Sequence, residues 1–125
     1  MQNVLIVGMG GFLGASLRYL LSGWVQRLSG QAGFPYGTIT VNLIGCLLIG
    51  FLGGLAVNRG LFAGESRLFL LIGVLGGFTT FSTFGYDTLT LLRDGQLLMA
   101  ITNVVIQVVV GVLAVWIGYT ISSWT

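Results

Sequence analysis

The residues of this chain that are best suited to chemistry lie together in the segment from Gly76 to Phe84. Two adjacent glycines are followed by four hydroxyl side chains, with phenylalanines interspersed among them. A glycine costs roughly 1 kcal/mol relative to alanine in a helix, so the pair weakens any helix that contains it. Inside a membrane, freed backbone carbonyls are tolerated only where protein buries them or a polar cavity accepts them. The segment therefore predicts a broken helix with a candidate ion site.

The elements that position this segment are predicted to be membrane-spanning helices. The 125 residues are 55% hydrophobic and only 6% charged, and the mean hydropathy is +1.00. A bilayer is crossed by about 20 apolar residues in a helix, and four stretches qualify, at about residues 3–26, 35–57, 67–92 and 97–122. We expect one all-α domain over residues 1–125, with the third helix broken at Gly76–Thr80. It is expected in the inner (plasma) membrane of a bacterium.

Several other classes of protein are disfavoured by the residues that the chain lacks. Gly8-x-Gly10-x-x-x-Gly14 after an apolar run resembles a dinucleotide-binding turn, which needs an acidic residue about 20 positions later. The first acidic residue is Glu65. With no histidine and a single cysteine, Cys46, there is no His/Cys metal set, and an intramembrane enzyme is not expected. A net charge of +2 gives no reason to expect a nucleic-acid partner.

The charges at the predicted helix ends are balanced between the two sides of the membrane. Loop two and its flanks carry Arg59 and Arg67, and the opposite side carries Arg27 and Arg93. An excess of Lys and Arg on one side normally determines the orientation of a membrane protein. Because no excess exists here, we expect dual topology, in which the chain inserts both ways.

The size of the chain favours a homodimer. Four helices packed as one bundle leave no room for a wide aqueous path, so a conduit would form at a subunit boundary. Equal numbers of both orientations permit an antiparallel twofold dimer. Oligomer surfaces in lipid use small residues for close backbone approach. The pairs Gly10/Gly14, Gly50/Gly54 and Gly73/Gly77 have that spacing, although a chain with 21 glycines also produces such pairs by chance.

Polar side chains inside the predicted spans are candidate functional residues because their burial in lipid is costly. Arg18 would either extend to the headgroups or line a vestibule that attracts anions. Asn42 offers two donors and one acceptor, which serve either to join helices or to donate to a permeating anion. Asn103 and Gln107 are four apart and share one helix face. Asp87 is expected to pair with Arg93 or with an arginine of another subunit.

The phenylalanines after the break are the second half of the candidate site. Phe81 and Phe84 are three apart and lie on one face of a helix, flanked by the hydroxyls of Ser82 and Thr83. A phenylalanine in a membrane helix usually packs or faces lipid. A ring edge, however, carries partial positive charge, so edge-on rings can assist a small anion with the weak, multi-site binding that conduction requires.

Two motifs together resemble the Fluc (CrcB) fluoride channel family. They are Gly76-Gly77-x-Thr79-Thr80-Phe81-Ser82-Thr83-Phe84 and Gly37-Thr38-x-x-Val41-Asn42-x-x-Gly45. The likeness covers essentially the whole chain, including the glycine-rich start and Arg18. The resemblance implies a dual-topology antiparallel homodimer in the lipid bilayer, with two separate fluoride pores.

The resemblance also implies a role for each residue of the two motifs. A structural sodium ion at the dimer axis would be held by the backbone carbonyls of Gly76 and Thr79 from both subunits. The pore residues implied are Asn42, Phe81, Phe84, Ser82, Thr83, Arg18 and Asn103. Asp87 stands where glutamate is expected in many relatives, and neither it nor Gln107 receives a role.

One alternative function from another class is a small dual-topology exporter of organic cations. Such an exporter needs an intramembrane carboxylate for proton exchange. Asp87 is the only candidate, and it lies near the end of a predicted span. Fluoride flux that survives Asp87→Asn would favour the channel.

Overall fold

The computed structural model describes all residues from 1 to 125, and its regular elements are helices. Helix α1 spans Gln2–Ser29 and α2 spans Tyr36–Arg59. Helix α3 covers residues 65–78, α4 spans Phe81–Arg93 and α5 spans Leu97–Trp124. Four helical units are long and apolar enough to cross a membrane, with α3 and α4 together forming the third. The four predicted spans are confirmed, and most ends lie a few residues beyond the predicted bounds.

The first two helices end at glycines in the left-handed conformation. Gly30 after α1 has φ 63°, and Gly60 after α2 has φ 64°. Glycine adopts this conformation without the steric penalty that a side chain brings, so it stops a helix sharply. The short connections then make consecutive helices antiparallel neighbours, which places the third span against both α1 and α2.

The predicted break in the third span is confirmed, but it lies after the glycines. Gly76 and Gly77 are helical, and α3 continues to Phe78. Thr79 (φ −89°, ψ 159°) and Thr80 (φ −151°, ψ 116°) are extended. Threonine is β-branched and accepts an extended backbone readily. The Thr80 hydroxyl also accepts from the Thr83 amide, at 3.3 Å, and so caps α4.

The glycines before the break serve close packing against α1. A Cβ on Gly14 would lie 2.0 Å from the Val74 carbonyl oxygen, and a Cβ on Gly77 would lie 2.6 Å from the Gly11 carbonyl oxygen. Gly10 and Gly73 are also in backbone contact. These four-residue glycine spacings therefore hold α1 against α3 within one subunit.

The remaining glycine pair has the same intramolecular use. A Cβ on Gly50 would lie 2.1 Å from the Val115 carbonyl oxygen, and a Cβ on Gly54 would lie 2.0 Å from Ser122 Oγ. Both contacts join α2 to α5. The interpretation of the glycine pairs as oligomer surfaces was wrong, because the small residues already meet partners inside the subunit.

Two stretches of π-helix interrupt the regular pattern, at Leu68–Leu75 in α3 and at Ile106–Val110 in α5. Neither was expected from the sequence. Wider turns of this kind occur often at functional sites, since they redirect side chains and loosen the local hydrogen bonding. The second stretch contains Gln107, which faces the break.

Candidate functional site

Asn42 of α2 forms two hydrogen bonds with the backbone of Thr80 at the break. The Thr80 amide donates to Asn42 Oδ1 at 2.8 Å, and Asn42 Nδ2 donates to the Thr80 carbonyl at 3.0 Å. In a continuous helix the Thr80 amide would bond to the carbonyl of Gly76, four residues earlier. The asparagine therefore takes the donor that would otherwise satisfy Gly76.

The second proton on Asn42 Nδ2 is also engaged. It donates to Gln107 Oε1 of α5 at 2.6 Å. A primary amide has two donor protons, so both are occupied in this arrangement. The predicted donation from Asn42 to a passing anion requires one of these two bonds to open.

The network continues through α5 to α4. Gln107 Nε2 donates to Asn103 Oδ1 at 2.9 Å, and Asn103 Nδ2 donates to Thr88 Oγ1 at 2.9 Å. Asn103 is 0% exposed, and no buried side-chain nitrogen or oxygen lacks a partner. Asn103 therefore lies in the protein interior and acts on the break only through Gln107.

A cavity of about 350 Å³ lies beside the break. It brings together five of the sequence-predicted site residues, namely Asn42, Gly76, Thr79, Phe81 and Phe84. Gln107 also lines it; the sequence placed it on one helix face with Asn103 but assigned it no role. Most of the remaining wall is apolar, so the few amides and carbonyls are the polar groups that an ion in this cavity would meet.

Phe81 and Phe84 form a pair of rings at the cavity wall. Their centroids are 5.3 Å apart and their planes are inclined at 49°. Phe81 is 81% exposed on the surface of the subunit, whereas Phe84 is half-buried. Both rings line the cavity, and the edge of an aromatic ring carries partial positive charge.

The hydroxyls of Ser82 and Thr83 are placed differently from the rings. They gather around Thr80 Oγ1, at 3.3 Å from Ser82 Oγ and 3.0 Å from Thr83 Oγ1. Both residues are exposed on the first turn of α4 and are absent from the cavity lining. Their predicted place on an anion path stays a prediction.

Arg18 reaches the break from α1. Its Nη1 donates to the Thr79 carbonyl at 3.2 Å, and the side chain is half-buried. The sequence offered extension to the headgroups or a position in a vestibule. The structure shows the guanidinium bonded to the extended backbone at Thr79, which is a residue of the cavity lining. The predicted place of Arg18 in a vestibule stays a prediction.

Gly76 and Thr79 line the same cavity. The Gly76 carbonyl has lost its helical amide to Asn42, and the Thr79 carbonyl has a second lone pair besides the one directed at Arg18. Carbonyl oxygens are ligands that alkali cations accept. By their chemistry, Gly76 and Thr79 are the residues that would hold the expected sodium ion.

Asp87 occupies a different cavity, of about 500 Å³, near the end of the bundle where α1 and α2 are connected. Its carboxylate accepts a hydrogen bond from Thr38 Oγ1 at 2.8 Å. The expected pairing with Arg93 within the subunit is not found. Thr38 supplies the contact because α2 packs beside α4 at this level.

Comparisons with known proteins agree with the geometry. The family model described as "CrcB-like protein, Camphor Resistance (CrcB)" matches residues 5–119. The chain is 44% identical to "Fluoride-specific ion channel FluC 3" of Methanosarcina barkeri, over 98% of this chain and 91% of the relative. It is 45% identical to "Fluoride-specific ion channel FluC" of Methylobacillus flagellatus, over 100% of this chain and 98% of the relative.

A third relative, "Fluoride-specific ion channel FluC" of Geotalea daltonii, is 48% identical over 94% of both chains. With four membrane-spanning helices, the chain is a multi-pass membrane protein, of the inner membrane where the cell is bacterial. A match over nearly the whole length leaves one assignment: the chain belongs to the CrcB-like family, which includes these FluC proteins.

Proposed function

We propose that this protein is a fluoride-selective channel through which fluoride leaves the cytoplasm passively. The observation that carries the proposal is the cavity at the break, where Asn42, Phe81, Phe84 and Gln107 meet. The printed names of the relatives, all fluoride-specific ion channels, supply the identity of the ion. The chemistry of the cavity is consistent with that ion.

The groups of the cavity that can serve a small anion are weak donors. Fluoride is strongly hydrated, so a pore must replace its water with donors. The Gln107 amide has one N–H that is used neither toward Asn42 nor toward Asn103, and the edges of Phe81 and Phe84 supply partial positive charge. Each group binds weakly, as conduction requires, and a narrow path excludes the larger chloride.

We propose an antiparallel homodimer with two pores as the working unit. Phe81 is 81% exposed on a subunit whose glycine pairs are already used internally. A partner subunit across this face would bury the ring and complete the wall of the path. The exposed hydroxyls of Ser82 and Thr83 would then line the continuation of the path beyond the cavity.

A structural sodium ion at the dimer axis belongs to the same proposal. Two subunits would contribute four carbonyls, from Gly76 and Thr79 of each. The bound ion would supply a fixed positive charge that lowers the barrier for an anion nearby. Two contacts of this chain keep those carbonyls out of the helical hydrogen-bond pattern. Asn42 accepts from the Thr80 amide that would bond to Gly76, and Thr80 Oγ1 accepts from the Thr83 amide that would bond to Thr79.

The deciding experiment is ion release from liposomes that contain the purified protein. A fluoride electrode and a chloride electrode follow release. A potassium ionophore is added to dissipate the membrane potential that would otherwise stop net anion efflux. We expect rapid fluoride release with chloride retained. Equal release of both anions, or release of neither, would contradict the proposed function.

A further inference from the structure

A chain of three side-chain amides crosses the subunit from the break to the interior of α4. It begins at the Thr80 amide and passes through Asn42, Gln107 and Asn103. It ends at Thr88, whose hydroxyl accepts from Asn103 at 2.9 Å and donates to the Phe84 carbonyl at 2.8 Å. Both ends therefore lie on the polypeptide segment that carries the two phenylalanines.

The direction of this chain is dictated by its ends. A backbone amide only donates and a backbone carbonyl only accepts. Because the Thr80 amide faces Asn42, that position must be Oδ1, and Nδ2 must then face Gln107. Each following amide is oriented in turn, until the Thr88 hydroxyl directs its proton to Phe84. Reversing any one amide would place two donors or two acceptors against each other.

We propose that Gln107 is a positioning residue. It holds Asn42 in the orientation that keeps the backbone of the third span extended at Thr80. The expected effect on fluoride release rests on the proposed function, whereas the hydrogen-bond geometry does not depend on it. If Gln107 is removed, Asn42 loses the acceptor for one of its two protons and can rotate. The Thr80 amide then loses its fixed acceptor, and the placement of Phe81 beside it is no longer enforced.

The position of Gln107 explains why it and not Asn103 has this task. Gln107 lies in the π-helical stretch Ile106–Val110 and lines the cavity. Asn103 is 0% exposed, and its Oδ1 accepts a hydrogen bond from Gln107 Nε2. Asn103 and Thr88 therefore fix the orientation of Gln107, and their influence should reach Asn42 through it.

The first test measures hydrogen exchange of the Asn42 side-chain amide by NMR, in protein with ¹⁵N-labelled asparagine in lipid nanodiscs. The chain has only three other asparagines, Asn3, Asn58 and Asn103, and the Asn42 signal is assigned by its loss in Asn42→Ala. Gln107→Met preserves side-chain length and removes the hydrogen bonds. We expect Asn42 exchange to accelerate at least about fivefold, the effect of losing roughly one hydrogen bond.

Thr88→Val and its matched control, Thr102→Val, distinguish loss of the amide chain from a general folding defect. Thr88 ends the amide chain, whereas the Thr102 hydroxyl bonds to the carbonyl of Leu98 in its own helix at 2.8 Å. We expect Thr88→Val to accelerate exchange at Asn42, three hydrogen bonds away, and Thr102→Val to leave it unchanged. Unchanged exchange at Asn42 in both Gln107→Met and Thr88→Val would overturn the proposal.

Fluoride release from liposomes is the second measurement on the same variants. We expect Gln107→Met to slow release by at least about tenfold, because a positioned group displaced by about 1 Å can cost more than that. Faster Asn42 exchange with unchanged fluoride release would overturn the positioning role. If the unaltered protein released no fluoride, the proposed function would fall, while the exchange data would still decide the amide chain.

Discussion

At the scale of single residues, the cavity is lined by an amide that several hydrogen bonds hold in place and by an aromatic ring that has few contacts. Asn42 makes three hydrogen bonds, two of them to one backbone residue. Phe81, in contrast, is held on one side only, by its tilted contact with Phe84. The amides therefore define the geometry of the break, and the rings are the groups that can adjust to a passing ion.

Replacing Phe81 by isoleucine tests whether the ring itself acts on the ion. Phe81→Ile keeps an apolar side chain and removes the positive ring edge, so fluoride release should slow by at least about tenfold, the loss of roughly 1.4 kcal/mol. The dimer should still form on size-exclusion chromatography. Phe12→Ile is the control, because Phe12 is equally aromatic and 73% exposed on α1. Full release by Phe81→Ile would show that the ring only packs.

Asp87→Asn separates the channel from a proton-coupled exporter. The carboxylate lies in its own cavity and bonds to Thr38, and an asparagine can accept the same hydrogen bond. We expect fluoride release within about twofold of the unaltered protein, since Asp87 lies outside the cavity at the break and the hydrogen bond to Thr38 is kept. Loss of fluoride release, together with proton-driven uptake of organic cations by the unaltered protein, would favour the exporter.

The residues of the site were predictable from sequence to different degrees. Asn42, Phe81 and Phe84 stand out because an amide and two rings accompany a weakened helix, and the structure gathers all three. Gln107 was visible as the neighbour of Asn103 on one helix face, yet the choice between them was not. That choice depends on the π-helical turn at Ile106–Val110 and on Thr88, which meets Asn103 only in the folded chain.

At the scale of elements, the break in the third span was predicted correctly, but the glycines expected to cause it are only part of the explanation. The glycines were expected to break the helix by their low propensity. Both remain helical, although only Gly77 is in close contact with the α1 backbone and Gly76 has open space beside it; tertiary packing commonly overrides propensity. The extended residues are Thr79 and Thr80, and their hydrogen bonds to Arg18 and Asn42 come from helices remote in sequence.

Gly14→Ala tests the close packing of α1 against α3. The added Cβ would lie 2.0 Å from the Val74 carbonyl oxygen, so the helices must separate at the level of the break. We expect a loss of about 1–3 kcal/mol in the free energy of unfolding, as overpacking usually costs. The measurement is unfolding by sodium dodecyl sulfate in mixed micelles, followed by circular dichroism.

Gly8→Ala is the matched control on the same helix. A Cβ on Gly8 would meet nothing within 4 Å, and alanine is the better helix former. Its unfolding free energy should be unchanged or slightly raised. Equal destabilisation by both substitutions would mean that glycine flexibility in α1, and not close contact, is what the fold needs.

At the scale of the whole molecule, the proposed dimer would complete the surroundings of the break. In the proposed cation site, two carbonyls of one chain would provide half of the four oxygens, and Phe81 is exposed on the subunit surface at the same cavity. An antiparallel partner would add the other two carbonyls and cover the ring. The same defect in the helix would then serve assembly and conduction.

Removing sodium should therefore weaken the dimer before it alters the helices. Replacing sodium by N-methyl-D-glucamine leaves four carbonyls facing one another without a cation, so we expect a lower dimer fraction in dilute detergent solution. Cross-linking gives the dimer fraction, and circular dichroism gives the helix content. A dimer fraction independent of sodium would contradict the proposed cation site.

The distribution of arginines leads to the prediction on orientation. Arg27 and Arg59 lie in the last turns of α1 and α2, and Arg67 and Arg93 lie at the start of the third span and at its end. Arg18 is bound to the Thr79 carbonyl at the break and belongs to neither side. The balance of two arginines against two thus survives in the folded chain, and both orientations should insert.

Reporter fusions at the C-terminus measure the two orientations directly. Alkaline phosphatase is active outside the cytoplasm and green fluorescent protein is active inside, so both fusions should give signal. Gln96→Lys in loop three and Ala63→Lys in loop two should bias the chain in opposite directions, since added cations stay in the cytoplasm. Either variant alone should then release little fluoride, and co-expression should restore release because only the mixture forms antiparallel pairs. Full activity of one biased variant by itself would refute the antiparallel dimer.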